Sequence, residues 1–155
     1  MARKANVIIY SDIASVNNPG PCGWGTILVA GGKKKEFSGA EISTTSNRME
    51  VLGVIAALET LEKSCNVEIN STSTYFTNAF LQNWLNLWKS RKWRNADKEP
   101  VKNLDLWKRI DELSQFHNIK VVKVKNTKDA VEIKRCEKLA INSVMKLPLP
   151  EPEDQ

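Results

Sequence analysis

The sequence is short of the side chains that most often hold metals or carry out covalent chemistry. It has one histidine, His117, and only three cysteines, Cys22, Cys65 and Cys136, far apart along the 155 residues. No CxxC pair or other zinc-ligand spacing occurs, which argues against a zinc site. Three scattered thiols also make a poor disulfide framework and suit a reducing compartment. No apolar run approaches the roughly 18 residues of a membrane span. The N-terminal stretch MARKANVIIY enters a strand-like run at once and lacks the apolar core of a signal peptide. The expected setting is the cytoplasm, with organelle and nucleus left open, and no membrane partner.

What is present is ordinary in amount and unusual in placement. Hydrophobic residues make up 41% and charged residues 26% of the chain, the balance of a globular protein rather than a disordered one. One domain is expected over residues 1–146, long enough to bury a core without staples. The end, LPLPEPEDQ at 147–155, has three prolines and three acids and is expected to be a disordered tail. The net charge is +5, and the window from Lys89 to Lys102 holds six basic residues against two acidic ones. Nearly all of the positive field therefore comes from one segment, which favours a polyanionic partner.

Strand and helix signals alternate in an informative order. Val7 to Tyr10 reads as a buried strand ending in Ser11-Asp12, and Asn17-Asn18-Pro19-Gly20-Pro21 as a turn. Gly23 to Ala30 and Lys33 to Ser38 read as two further strands joined by Gly31-Gly32. Thr44 to Asn47 offers several helix caps. After them Val51, Val54, Ile55, Leu58 and Leu61 recur at helical spacing, with Glu50 in the first turn, where a carboxylate suits the helix dipole. Val67 to Asn70 is a strand, and Ser71 to Thr74 a polar stretch after it. A helix is predicted over Asn78–Leu87, a second over Leu104–Phe116 with Leu106, Trp107, Ile110 and Leu113 inward, and a strand over Ile119–Lys125. Ile133, Cys136, Ala140 and Val144 mark a last helix. The expected fold is α/β: a five-stranded mixed sheet, three strands antiparallel and then two parallel, flanked by helices.

Four stretches on this frame closely resemble type 1 ribonuclease H, from about Val7 to Val144. They are Asp12 with the turn NNPGPCGWG after it, TTSNRME at 44–50, the basic stretch from Trp88 to Ile110, and RCEKLA at 135–140. The resemblance implies a basic protrusion at about 84–102. It also implies hydrolysis of the RNA strand of an RNA–DNA hybrid by two magnesium ions held by four carboxylates, with a histidine nearby. Asp12 and Glu50 match the first two acids. Thr72 stands where the third, an aspartate, is expected. Glu137 stands for the fourth, one methylene longer. Thr127 stands in the histidine's place, and Asp129 lies two residues on. Ile13 and Ile133 replace a glycine and an asparagine beside the site.

The binding apparatus is better kept. The resemblance places Thr45 at a phosphate pocket and Asn18 and Asn47 beside the hybrid. Trp88 and Trp93 interleave with Lys89, Arg91, Lys92 and Arg94, rings for sugars and cations for phosphates. Trp84, Trp88 and Trp107 read mainly as packing, and Trp93 as the ring for nucleic acid. Losing an anionic ligand costs more than the 10–100-fold typical of outer groups, and losing a general acid–base group about 10²–10⁴-fold. The leading expectation is a pseudoenzyme: an RNase H-like protein that binds hybrid or structured RNA with most or all hydrolysis lost. Asp12, Glu50 and Glu137 would hold magnesium or manganese weakly. One alternative is a slow metal-dependent nuclease using those three acids. Another is an interaction subunit of a larger RNA-protein assembly. The fold itself reads as monomeric.

Overall fold

A computed structural model describes residues 4–125 and 131–148. The chain runs β1 (Asn6–Ser15), β2 (Gly20–Ala30), β3 (Lys33–Thr44), α1 (Ser46–Leu58), β4 (Asn66–Ser71), α2 (Thr74–Leu81), α3 (Trp84–Ser90), α4 (Leu104–Phe116), β5 (Asn118–Lys123) and α5 (Val131–Met145). The sheet order is β3-β2-β1-β4-β5. β1, β2 and β3 pair antiparallel, while β4 and β5 join parallel to β1 and to each other. This is the mixed sheet expected from the sequence. Gly31 and Gly32, both at positive φ, close the hairpin between β2 and β3.

Alternation along β2 decides which helix covers which face. Thr26 donates its hydroxyl to the Gly53 carbonyl of α1 at 2.9 Å. Its neighbours on the opposite face, Gly23 and Gly25, lie against α5. A Cβ at Gly25 would sit 2.1 Å from the Cys136 carbonyl oxygen, and one at Gly23 2.3 Å from that of Ala140. Bare backbone is thus required for α5 to reach the sheet. α1 and α5 sandwich the first three strands, and Val7, Ile9, Val51, Val54, Leu58, Val67 and Ile69 are buried.

Several element boundaries differ from the reading of the sequence. β3 continues to Thr44 rather than stopping at Ser38, because Gly39 to Thr44 stay paired with β2. The single helix predicted over Asn78–Leu87 is two. α2 starts earlier, at Thr74, where Ser73 accepts the Phe76 N–H as its cap, and Asn83 in the left-handed region (φ 59°) separates it from α3. Asparagine tolerates that conformation better than most residues. β5 ends at Lys123 rather than Lys125. Residues 149–155, most of the expected disordered tail, lie outside the described residues, as does the expected polar loop at 126–129.

Leu106, Trp107, Ile110 and Leu113 of α4 are buried as the helical period requires. Trp107 is fully enclosed, donates its indole N–H to the Tyr75 hydroxyl at 2.8 Å, and packs on Phe76 and Trp88. Trp84 lies against Trp88 in turn, with ring centroids 5.9 Å apart.

His117, after α4, is buried, and its Nδ1 accepts the Cys65 N–H at 3.0 Å. Nδ1 is therefore unprotonated, and Nε2 has no partner among the described residues. Burial, with a smaller contribution from Lys4, pushes the imidazole below its ordinary value of 6.5. The unfolded chain takes up a proton that the folded chain refuses, so stability is lost as pH falls below about 6.5 and is fully present above it. We expect the urea midpoint to drop between about pH 7.5 and about pH 5.5. A His117→Asn variant with an unchanged pH slope would show that another group is responsible.

Candidate active site and nucleic-acid interface

The first acid lies inside a strand. Asp12 was expected at the C-terminal end of the strand, but β1 runs on to Ser15. What ends beside Asp12 is the parallel ladder to β4, whose last pair is Ser11 with Ser71, while Asp12 itself still pairs with Gly25 of β2. One carboxylate oxygen, Oδ1, accepts the Ile13 N–H and the Thr72 hydroxyl, each at 2.9 Å. Burial raises the Asp12 pKa above its ordinary value. These two hydrogen bonds pull it back, and the nearby charge of Glu137 adds to the rise.

Glu50 corrects another expectation. The first turn of α1 contains no acid, and Glu50, the fifth residue, lies in the second turn. Burial rather than the helix dipole governs it, and raises its pKa. The Ser73 hydroxyl bonded to its Oε2 and the charge of Lys123 oppose the shift, and Asp12 adds to it. The Ser73 hydroxyl gives its proton to Glu50 and takes the Phe76 N–H in return, so one side chain caps α2 and fixes the acid.

Thr72, directly after β4, is half-buried and touches Asp12, while the next residue, Ser73, holds Glu50. Glu137 is exposed on α5, next to the buried Cys136. Ile133 is fully buried in the core and brings no polar atom towards the acids. Ile13 is half-buried and pairs with Trp24. Thr127 and Asp129 lie outside the described residues. Among the described residues, no three His, Cys, Asp or Glu side chains converge where they could share an ion. One oxygen of each of Asp12 and Glu50 already accepts hydroxyl protons from the chain itself. This donor set does not fit a pair of divalent ions, which require several converging anionic oxygens.

A residue that sequence reasoning passed over stands at the same place. Lys123, the last residue of β5, shares the inward register of Ile119 and the buried Val121. Its ammonium donates to the Thr72 carbonyl and, at 2.7 Å, to the Thr74 hydroxyl. A lysine on the core-facing register of a strand was the signal available in IKVVKVK.

The start of α1 builds a second feature. Thr45 caps the helix by accepting the Arg48 N–H at 3.2 Å, and Asn18 accepts the Ser46 N–H at 3.1 Å. Asn18, Thr45 and Asn47, all exposed, line a cleft of about 520 Å³ together with Tyr75, Lys102 and Asn103. The last three were not singled out from the sequence as site residues. In the basic segment, Arg91 and Lys92 are exposed. Lys89 pairs with Asp111 at 3.1 Å, and Arg94 donates to the Lys98 carbonyl. Trp88 and Trp93 are half-buried against the core, so only part of each ring faces outward.

Fold and site together define an α/β protein with a polar cleft at the start of α1, a cationic segment and two half-buried acids, Asp12 and Glu50, held by hydroxyls of one loop. Comparison with known proteins places it further. The RNase H family model matches residues 4–144. The chain is 46% identical over 140 residues to the ribonuclease H of Acetivibrio thermocellus, covering 90% of this chain and 95% of that protein. It is also 46% identical over 134 residues to that of Moorella thermoacetica, covering 86% and 88%. The solved structure of LC11-RNase H1 in complex with RNA/DNA hybrid is 25% identical, with a TM-score of 0.68 and coverage of 90% and 97%. The chain belongs to the ribonuclease H family. Its fold is that of the type 1 proteins, as a TM-score of 0.80 to LC9-RNase H1, a type 1 RNase H with the type 2 active-site motif, also shows; that likeness covers 94% and 74% of the two chains.

Proposed function

We propose that this protein binds RNA–DNA hybrid, or structured RNA, through phosphate contacts and has lost most or all of the family's hydrolytic activity. The observation that carries this reading is Thr72: a hydroxyl that donates to Asp12 stands where the family's third acid is expected. A neutral donor neither neutralises a dication nor bridges two of them. Magnesium or manganese is then held weakly if at all, because Asp12, Glu50 and Glu137 do not converge as a ligand set. Binding is supported by the cleft under α1, by the exposed Arg91 and Lys92, and by a relative whose structure was solved with an RNA/DNA hybrid. Three buried free thiols suit a reducing, intracellular setting.

The test is hybrid cleavage with magnesium and with manganese, alongside binding across a salt series. Turnover far below the ordinary range of about 1–10³ s⁻¹ is expected, and a rate inside that range would overturn the loss of activity. Affinity should fall steeply with salt. Neutralising Arg91, Lys92 and Arg94 together should flatten the slope by about one unit for each phosphate contact removed. Affinity independent of salt would mean that the surface docks protein instead.

A second reading keeps a slow, metal-dependent hybrid endoribonuclease. The relatives named ribonuclease H and the charge of Glu137 acting on Asp12 favour it. Weak cleavage that disappears in Asp12→Asn would establish it, and cleavage unchanged by that substitution would remove it.

A further inference from the structure

Lys123 does something that neither the fold nor the binding surface requires. Lys123 is half-buried at the end of its strand, its stem along the core-facing register and its ammonium turned to the loop after β4. Its neighbours explain why it stays there. Lys123 is the register partner of Ser71, the residue before Thr72, so β5 brings it behind the segment that faces the acids. The three residues of that segment are used in both directions. Thr72 gives its hydroxyl proton to Asp12, and Ser73 gives its own to Glu50. On the other side, the Thr72 carbonyl and the Thr74 hydroxyl both accept from the Lys123 ammonium. The ammonium is thus held on the same short segment whose hydroxyls reach the two carboxylates, and its field acts on them through space.

Two half-buried acids that repel one another need positive charge nearby. In a metal-dependent site divalent ions supply it. Here no three ligating side chains converge among the described residues, and a fixed monovalent cation sits against the same segment. Lys123 makes no ion pair with a described carboxylate, so its charge acts across that segment rather than by contact. Glu50 responds to it, since Lys123 is among the groups holding that acid's pKa down.

We propose that Lys123 is a built-in counter-cation: its ammonium takes over the charge balance of the Asp12–Glu50 pair and keeps divalent ions out. This rests on the reading that the site holds metal poorly, and it adds a cause beyond the missing ligands. A dication approaching Asp12 and Glu50 meets a resident positive charge as well as too few oxygens. Removing that charge without adding any ligand therefore restores part of the affinity.

The experiment titrates manganese into the full chain and reads bound ion by electron paramagnetic resonance, with the urea midpoint measured with and without magnesium. Three variants separate charge from packing. Lys123→Met removes the ammonium. Lys123→Gln removes the charge but keeps a donor for Thr72 and Thr74, so it also serves if the methionine variant folds poorly. Lys123→Arg keeps the charge. The methionine and glutamine variants should bind manganese about 10–100-fold more tightly than the wild type, the range seen when groups around a metal site are changed. The arginine variant should bind as weakly as the wild type. Adding Asp12→Asn to Lys123→Gln should abolish the gain, and magnesium should raise the urea midpoint of the glutamine and methionine variants but not of the wild type or the arginine variant. Manganese affinity equal in the wild type and Lys123→Gln, with both weak, overturns the counter-cation while leaving the incomplete site intact. Tight binding of two ions by the wild type instead overturns the reading of the site itself.

Discussion

A chain carrying Thr72→Asp together with Lys123→Gln should cleave RNA–DNA hybrid at least about 100-fold faster than the wild type in magnesium, the upper end of what changes around a metal site produce. The two substitutions act on different terms. Thr72→Asp removes the hydroxyl that occupies Asp12 Oδ1 and adds an anionic oxygen beside Asp12. Alone it should do little, because Lys123 hydrogen-bonds to residue 72 itself and to Thr74, and a new carboxylate there acquires a ready ion pair. Lys123→Gln releases it. Recovery should stay below a full family enzyme, since Thr127 offers no imidazole and Ile13 and Ile133 add no polar support. Adding Thr127→His to the pair should raise the rate further, by up to the roughly 10²–10⁴-fold of a general acid–base group. Single-turnover cleavage of a labelled hybrid decides the matter. A double variant that binds manganese tightly yet gains less than tenfold would place the defect outside the carboxylate centre.

Trp107→Ala should cost about 3–5 kcal/mol of stability, the range for deleting a large buried aromatic. Trp107 is fully enclosed and joins three helices: its ring packs on Phe76 of α2 and Trp88 of α3 while its backbone belongs to α4. It also donates to Tyr75, which lines the cleft beside Thr45 and Asn47. Through Trp88, whose carbonyl accepts the Trp93 N–H, the cluster fixes the start of the basic segment. Urea unfolding should show the loss directly, and hybrid affinity should weaken even where the variant remains folded. Trp107→Phe should fall between the two, because it keeps a ring but withdraws the indole donor from Tyr75. A loss below about 1 kcal/mol for the alanine variant would mean that this cluster lies outside the cooperative core.

These predictions rest on features that the sequence displayed unevenly. Strand order and pairing were legible because apolar runs, the Gly31-Gly32 turn and intervening helices leave few ways to order five strands. The acids were legible through the resemblance, as was the gap at Thr72. What escaped depends on contacts distant in sequence. No local pattern splits α2 from α3, since Asn83 in a left-handed conformation ends a periodicity that otherwise runs on. The second-turn position of Glu50 follows from where Thr45 caps α1, one of several candidates in Thr44 to Asn47. Tyr75 and Asn103 meet Thr45 only after α2 and α4 have packed together. Lys123 looked like one more cation in a basic protein until β5 was set beside β4.

The bare backbone of Gly23 and Gly25 bears on the fourth acid. Because α5 rests on bare backbone of β2, no interposed side chain remains to be trimmed to bring the helix closer, and any side chain added there would meet its carbonyls. Glu137 therefore projects from a platform at fixed height. The added methylene of a glutamate over an aspartate must be absorbed by rotamer choice alone, and a shorter acid there would point from the same height with fewer torsions left to freeze.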